Sequence, residues 1–308
     1  MDANAPYLPP AEPTDNAPAK KSARKTLILW LLLVLMFVAI YQLLSVPTPH
    51  HVAHAAPPPP RDDTWSSVAF GFVPALGVLA LFIIFLRMQL RGGGKLNAKL
   101  EPGHLALADG DLGRAAEIFA AVAHQYRKQT TYAAVAKLSL STALMRQGEL
   151  AKATDAAIEV ERAPGLVFGG DVRTMAAIHL GMLYALRGDL DVATRWCDDA
   201  RRRLPRGQNR TLSAALLRIA EILVLARSGK RDDAARALDR DWHRLEEALT
   251  VASMRKAWLL RAWCAAADPS RGSVEPWLTM ARAGRKGELR WLGAEWPELR
   301  AFLEAHDL

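Results

Sequence analysis

Four phrases about forty residues apart share one pattern: ADGDLGRAAEIF at 108–119, RQGELAKATDAA at 146–157, LRGDLDVATRWC at 186–197 and RSGKRDDAARAL at 227–238. Each carries a glycine (Gly110, Gly148, Gly188, Gly229) and an alanine five residues later (Ala115, Ala153, Ala193, Ala234). A recurrence of this length is the mark of a supersecondary unit that stacks on copies of itself. The glycine suits the left-handed cap that ends one helix. The next residue, acidic in three of the four phrases, supports the start of the following helix. The alanine leaves room for two helices to approach. Apolar residues recur at three- and four-residue intervals on both sides of each turn, the pattern of paired antiparallel amphipathic helices. The expectation is an all-α domain over 101–308.

The region ahead of the repeats has a different character. Thr26 to Val46 is an uncharged run of 21 residues, and a helix needs about 20 residues to cross a hydrocarbon core. A second uncharged run extends from Thr64 to Leu86 and contains Gly71, Pro74 and Gly77, which membrane helices accommodate better than soluble ones. Trp30, Tyr41 and Trp65 lie near the ends of the runs, where amphipathic rings favour the interface. Two transmembrane helices are expected, at 25–46 and 67–88. Lys20, Lys21, Arg24 and Lys25 precede the first, and Arg87, Arg91, Lys95 and Lys99 follow the second. The segment between them offers only Arg61 against Asp62 and Asp63. The positive flanks therefore place both termini in the cytoplasm of a bacterial-type inner membrane. Ala53-His54-Ala55 resembles a signal-peptidase site, but it lies well beyond an apolar run already too long for a signal peptide. If cleavage did occur there, the second helix would still hold the remainder in the cytoplasm.

Residues 1–24 lack apolar periodicity and read as a disordered cytoplasmic tail. Residues 47–66 read as a Pro- and His-rich external loop, and 89–100 as a linker with a glycine hinge at 92–94. The formal net charge is +8. It divides evenly between 1–100 and 101–308, and the N-terminal excess sits beside the apolar runs, where topology explains it, so no nucleic-acid partner is expected. Cys197 and Cys264 form no CxxC pair and read as buried packing residues in a reducing compartment.

Residues 174–205 resemble the tetratricopeptide repeat most closely. Leu180, Gly181 and Tyr184 stand at the Leu, Gly and aromatic positions of that family's first helix. Gly188, Ala193, Ala200 and Pro205 stand at its turn glycine, small positions and closing proline. Cys197 replaces the usual second-helix aromatic, which implies looser packing there. The other units depart further, with Pro102 where the first unit's opening helix belongs and Glu221 at an apolar position of the fourth. Residues 251–308, with WLGAEWPELRAFLEAH at their end, read as a further helix pair and a capping helix. The resemblance implies an α-solenoid of antiparallel pairs behind the two membrane helices. It also implies a concave groove lined by the first helix of each pair: Leu138, Thr142 and Met145; Met175, Ile178 and Met182; Leu216, Ile219 and Leu223. An apolar groove of that kind suits an amphipathic helix or apolar segment of a protein partner. Two alternatives are that these residues are core, or that the Trp-rich C-terminal tail fills the groove.

No motif for catalysis, nucleotide or metal emerges. Gly92-Gly93-Gly94-Lys95 lacks P-loop spacing, and His104, His124, His179 and His243 are isolated. The opening KTLILWLLLVL is similar to the anchor of the FtsH membrane proteases over some twenty residues. Neither an ATPase nor a zinc motif accompanies it, so it implies no protease activity. Arg201, Arg202, Arg203, Arg206 and Arg210 could meet anionic lipid or an acidic partner. The plainer reading places them at a helix end with Asp198 and Asp199 as partners. Together these features point to a non-enzymatic, membrane-anchored adaptor without cofactors. The alternative is a structural subunit assembled through its membrane helices.

Overall fold

The computed structural model describes residues 94–164, 170–205, 207, 211–268 and 273–308. Both apolar runs, the tail at 1–24 and the loop at 47–66 lie outside the described residues. Among the described residues no helix is long and apolar enough to cross a membrane.

Every regular element described is helical. α1 covers 94–109, α2 Leu112–Gln125, α3 Thr130–Arg146, α4 Leu150–Arg162, α5 Gly170–Arg187 and α6 Leu190–Arg203. They are followed by α7 Leu212–Arg227, α8 Arg231–Ala248, α9 Val251–Ala265 and α10 Glu275–Arg282. A short 3₁₀ turn at Arg290–Gly293 leads into α11, Pro297–Ala305. α1 occupies 94–100, where a linker was expected, and continues through Pro102, which is exposed to solvent. Its Leu100, Gly103 and Ala106 are buried at three-residue spacing, enough to commit the segment to a helix face despite one missing backbone donor.

The four turn glycines adopt φ of +74°, +81°, +90° and +79°, the left-handed conformation that penalises any side chain. In each turn the residue after the glycine donates its N–H to the carbonyl five back: Asp111 to Ala106 (2.9 Å), Glu149 to Leu144 (3.0 Å), Asp189 to Tyr184 (3.0 Å) and Lys230 to Leu225 (3.0 Å). This is the Schellman closure, which satisfies carbonyls that the helix end would leave bare. Of the three acids after the glycine, only Asp111 caps the next helix with its side chain, accepting from the Arg114 N–H at 3.1 Å. Glu149 and Asp189 make no side-chain cap bond. Ala115, Ala153, Ala193 and Ala234 are all fully buried, as the repeat requires.

Consecutive helices pack together, and the first helices of successive pairs also touch: α3 with α5, α5 with α7, and α7 with α9. They form one row, backed by α4, α6 and α8. Packing at Cys197 is tight rather than loose, because a Cβ on Gly181 would lie 2.8 Å from its Sγ. The smaller sulfur in place of an aromatic ring lets α5 and α6 come closer. Glu221 is accommodated by Arg201 at 2.6 Å and Arg218 at 2.7 Å. Arg201 also reaches Asp198 at 2.5 Å, Arg202 reaches Asp199 at 3.3 Å, and Arg203 clasps Glu161 with both terminal nitrogens, at 2.7 and 2.9 Å. These three arginines therefore have partners within the fold, whereas Arg206 and Arg210 lie outside the described residues.

Candidate functional site

The nine groove residues lie on α3, α5 and α7, and most of them are buried rather than lining an open channel. Met145, Ile178, Met182, Ile219 and Leu223 are buried at 3% exposure or less. Met175 and Leu216 are half-buried against the same cluster, and Leu138 packs on Ala134, Val160 and Ala176. Thr142 turns its hydroxyl back to the Leu138 carbonyl at 3.1 Å. The expectation of a free groove is corrected to this extent: five of its nine residues are core.

The residues after α10 pack at the C-terminal ends of the row α3–α5–α7. Leu289, Trp291, Leu292, Trp296, Leu299 and Leu303 join the same buried cluster as Ile178, Met182, Ile219 and Leu223, and the 3₁₀ turn packs on α3. The approach is close enough that a Cβ on Gly148 would meet that of Ala294 at 3.4 Å. A row of arginines holds the segment in register. Arg146, Arg187 and Arg227 stand in the last turns of α3, α5 and α7, where a cation also complements the helix dipole. Arg146 pairs with Glu288 at 2.6 Å, Arg187 with Glu295 at 3.9 Å and Arg227 with Glu298 at 3.2 Å. Arg227 also donates to the Glu295 carbonyl at 2.9 Å and lies over the Trp296 ring. The sequence carried the signal for this row, since the three arginines recur one or two residues before each turn glycine. No local pattern marks their partners, which lie 71 to 142 residues away.

Glu288 is the centre of the attachment. It bridges Arg146 of α3 and Arg255 of α9, whose Nε donates to the Ala281 carbonyl at 2.8 Å. Burial would push the Glu288 carboxyl up. The hydrogen bond and charge of Arg255, helped by Arg146, outweigh it and hold the group below its usual range. On α9, Lys256 is pushed down to about 8 by burial and by the charge of Arg146. Its amine lies 6.0 Å from the centre of the Trp291 ring. On α5, His179 is pushed down to about 4 by burial, aided by Lys256.

His179 is therefore neutral in the folded protein at neutral pH. Its folded value lies below the ordinary 6.5, so the unfolded chain takes up the additional proton as pH falls between the two. Stability contributed above pH 6.5 is lost as pH drops from 6.5 towards 4, by an amount on the order of 3 kcal/mol for this group. Denaturant midpoints at pH 7 and pH 4.5 check this: His179→Phe should lose less stability over that interval than the native chain. An equal loss in both would contradict the assignment.

The buried thiols are unsuited to nucleophilic work. Cys197 is pushed up to about 12 by burial and by the Glu221 carboxylate, so it stays a thiol. Cys264 is buried and unbridged. Among the described residues no group of three His, Cys, Asp or Glu is placed to hold a metal ion.

A different surface, formed by α8, α9 and α10, remains accessible. There the Arg261 guanidinium lies 4.5 Å from the Trp242 ring centre and 4.1 Å from that of Trp277, and it pairs with Asp239 at 2.6 Å. Ala235, Asp239, Arg261, Ala265 and Trp277 line a cavity of about 250 Å³. Met280, three residues from Trp277 on α10, is exposed. Partly buried Trp242, Trp277 and Arg261 beside an exposed Met280 give the residue types enriched in protein-binding hot spots. Comparison of the chain with family models, with curated proteins and with solved structures gave no match.

Proposed function

We propose that the chain is a non-enzymatic, membrane-anchored adaptor whose tetratricopeptide-like α-solenoid holds a protein partner at the cytoplasmic face of an inner membrane. The observation that carries the reading is the repeated unit itself. Four glycine turns with the same closure and four fully buried alanines build a row of stacked helix pairs, an architecture that provides extended surface rather than a reaction centre. The apolar runs at 26–46 and 64–86 supply the anchor, and the basic residues flanking them favour cytoplasmic termini.

In this reading the partner does not enter the α3–α5–α7 face, whose central residues are buried. It docks on the Trp242–Arg261–Trp277 surface, placing an apolar side chain in the cavity beside Arg261. Membrane tethering raises the effective concentration of a membrane-bound partner. A photoreactive phenylalanine analogue placed at 277 or 280 of the full chain, in its native membrane, should crosslink to one discrete partner. At 182 or 219 it should give crosslinks within the chain only. Partner crosslinks from 182 or 219, with none from 277 or 280, would reverse the assignment.

A further inference from the structure

The surface on α8, α9 and α10 has a chemistry that selects among occupants. Trp242 and Trp277 meet edge to face, their ring centres 5.7 Å apart at 64°, and Arg261 is stacked against both rings. Ala235 and Ala265 are too small to fill the space beside them, which leaves the cavity of about 250 Å³. The Trp242 indole N–H is taken by Glu246 at 2.7 Å, and Nη2 of Arg261 donates to Asp239. The Trp277 indole N–H and the Nε and Nη1 of Arg261 make no hydrogen bond among the described residues. The uncommitted nitrogens of this surface are therefore all donors, set between aromatic rings. An amphipathic helix would leave them unanswered, because its carbonyls are engaged within it. A proline-rich segment answers them. Its rings are apolar and lack an N–H, and its carbonyls have no internal partner in the polyproline II conformation. Aromatic-lined grooves recognise PxxP segments on this basis.

The chain carries such a segment. Pro6-Tyr7-Leu8-Pro9 and Pro10-Ala11-Glu12-Pro13 are consecutive PxxP units. Asp2, Glu12 and Asp15 are the only charged side chains ahead of Lys20, so the segment is acidic where Arg261 has free donors. We propose that residues 6–13 dock on Trp242, Arg261 and Trp277 of the same chain as a polyproline II segment, with prolines against the indoles and Glu12 at Arg261. The N-terminal tail thereby occupies the partner site, and a partner binds by displacing it. This rests on the reading above, in which tail and helical domain share one face of the membrane. The 12 residues at 14–25 reach about 40 Å when extended, more than the ~30 Å across a small domain. A flexible tether of that kind gives an effective concentration on the order of millimolar, so a weak contact suffices. The other proline run, at 57–60, falls on the opposite face in the same reading.

The test places a photoreactive phenylalanine analogue at position 7 of the full chain in its native membrane. The expected product is a crosslink within one chain to the peptides that carry Trp242 or Trp277. Replacing Pro6, Pro9, Pro10 and Pro13 by Ala, which leaves the helical domain untouched, should lower its yield at least tenfold. A synthetic peptide of residues 4–15 should bind the chain lacking residues 1–19 at least tenfold more tightly than the native chain. Crosslinks from position 7 to another part of the chain or to a second copy overturn the proposal. So does a yield undiminished by the four alanines, or a peptide that fails to prefer the shortened chain. The partner reading fails by a different result. Removing residues 1–19 should raise partner crosslinking from position 280 severalfold. A tail that docks on a surface from which no partner is captured, with or without residues 1–19, upholds the docking and removes the adaptor.

Discussion

Ending the chain at Gly284 is expected to unfold the helical domain rather than open a groove in it. Trp291, Leu292, Trp296, Leu299 and Leu303 are all buried in the principal core, and each contributes roughly 1.5–3 kcal/mol through burial. Their sum, on the order of 10 kcal/mol, equals the whole stability of an ordinary domain. A partner would have to supply the same amount to lift the segment off, more than most interfaces provide after the costs of association. The truncated protein should therefore lose protease resistance and most of its cooperative thermal transition. A truncated domain that kept its native melting curve would show the segment to be a detachable cover.

Glu288→Ala should be the most damaging single substitution at the surface of this junction. Arg255 keeps only 4% of its side chain exposed, and losing the carboxylate leaves its charge buried beside Arg146 and Lys256. Removing one member of a buried pair costs about 3–5 kcal/mol. Arg146 is more exposed and can turn to water, so the lower end of that range is expected. Glu288→Gln retains an acceptor for one arginine and should cost less. Urea midpoints of the two variants check the order. Adding Lys256→Met to Glu288→Ala should restore part of the loss, because it removes one of the cations left unopposed.

The local architecture was legible because its causes are local. Gly110, Gly148, Gly188 and Gly229 must turn left-handed, Ala115 through Ala234 must be small, and both constraints appear in single residues at fixed spacing. The resemblance to the tetratricopeptide repeat likewise implied which residues of the first helices face one side of the row. What covers them was not legible from the same pattern. An inner face waiting for a partner and one covered by the chain's own tail present the same Met and Ile side chains. The packing of the segment carrying Leu292, Trp296 and Leu299 on the row spans 71 to 142 residues of sequence. The helix at 94–100 was missed because its glycine and Pro102 are weak helix formers that tertiary packing of Leu100 and Gly103 overrides. Cys197 was misread for the opposite reason: a small residue signals loose packing only if the neighbouring helix stays in place, and Gly181 allows it to move in.

Amide hydrogen exchange on the intact protein tests the closed face most directly. If the C-terminal segment belongs to the core, the amides of Leu303, Leu299 and their neighbours in α11 exchange only through global unfolding. Their opening free energy should then equal that of the interior of α5 and α7. Protection in α11 lower by several kcal/mol than in α5, with the same segment slowed on addition of a partner, would contradict the account and show that the helix row opens to bind.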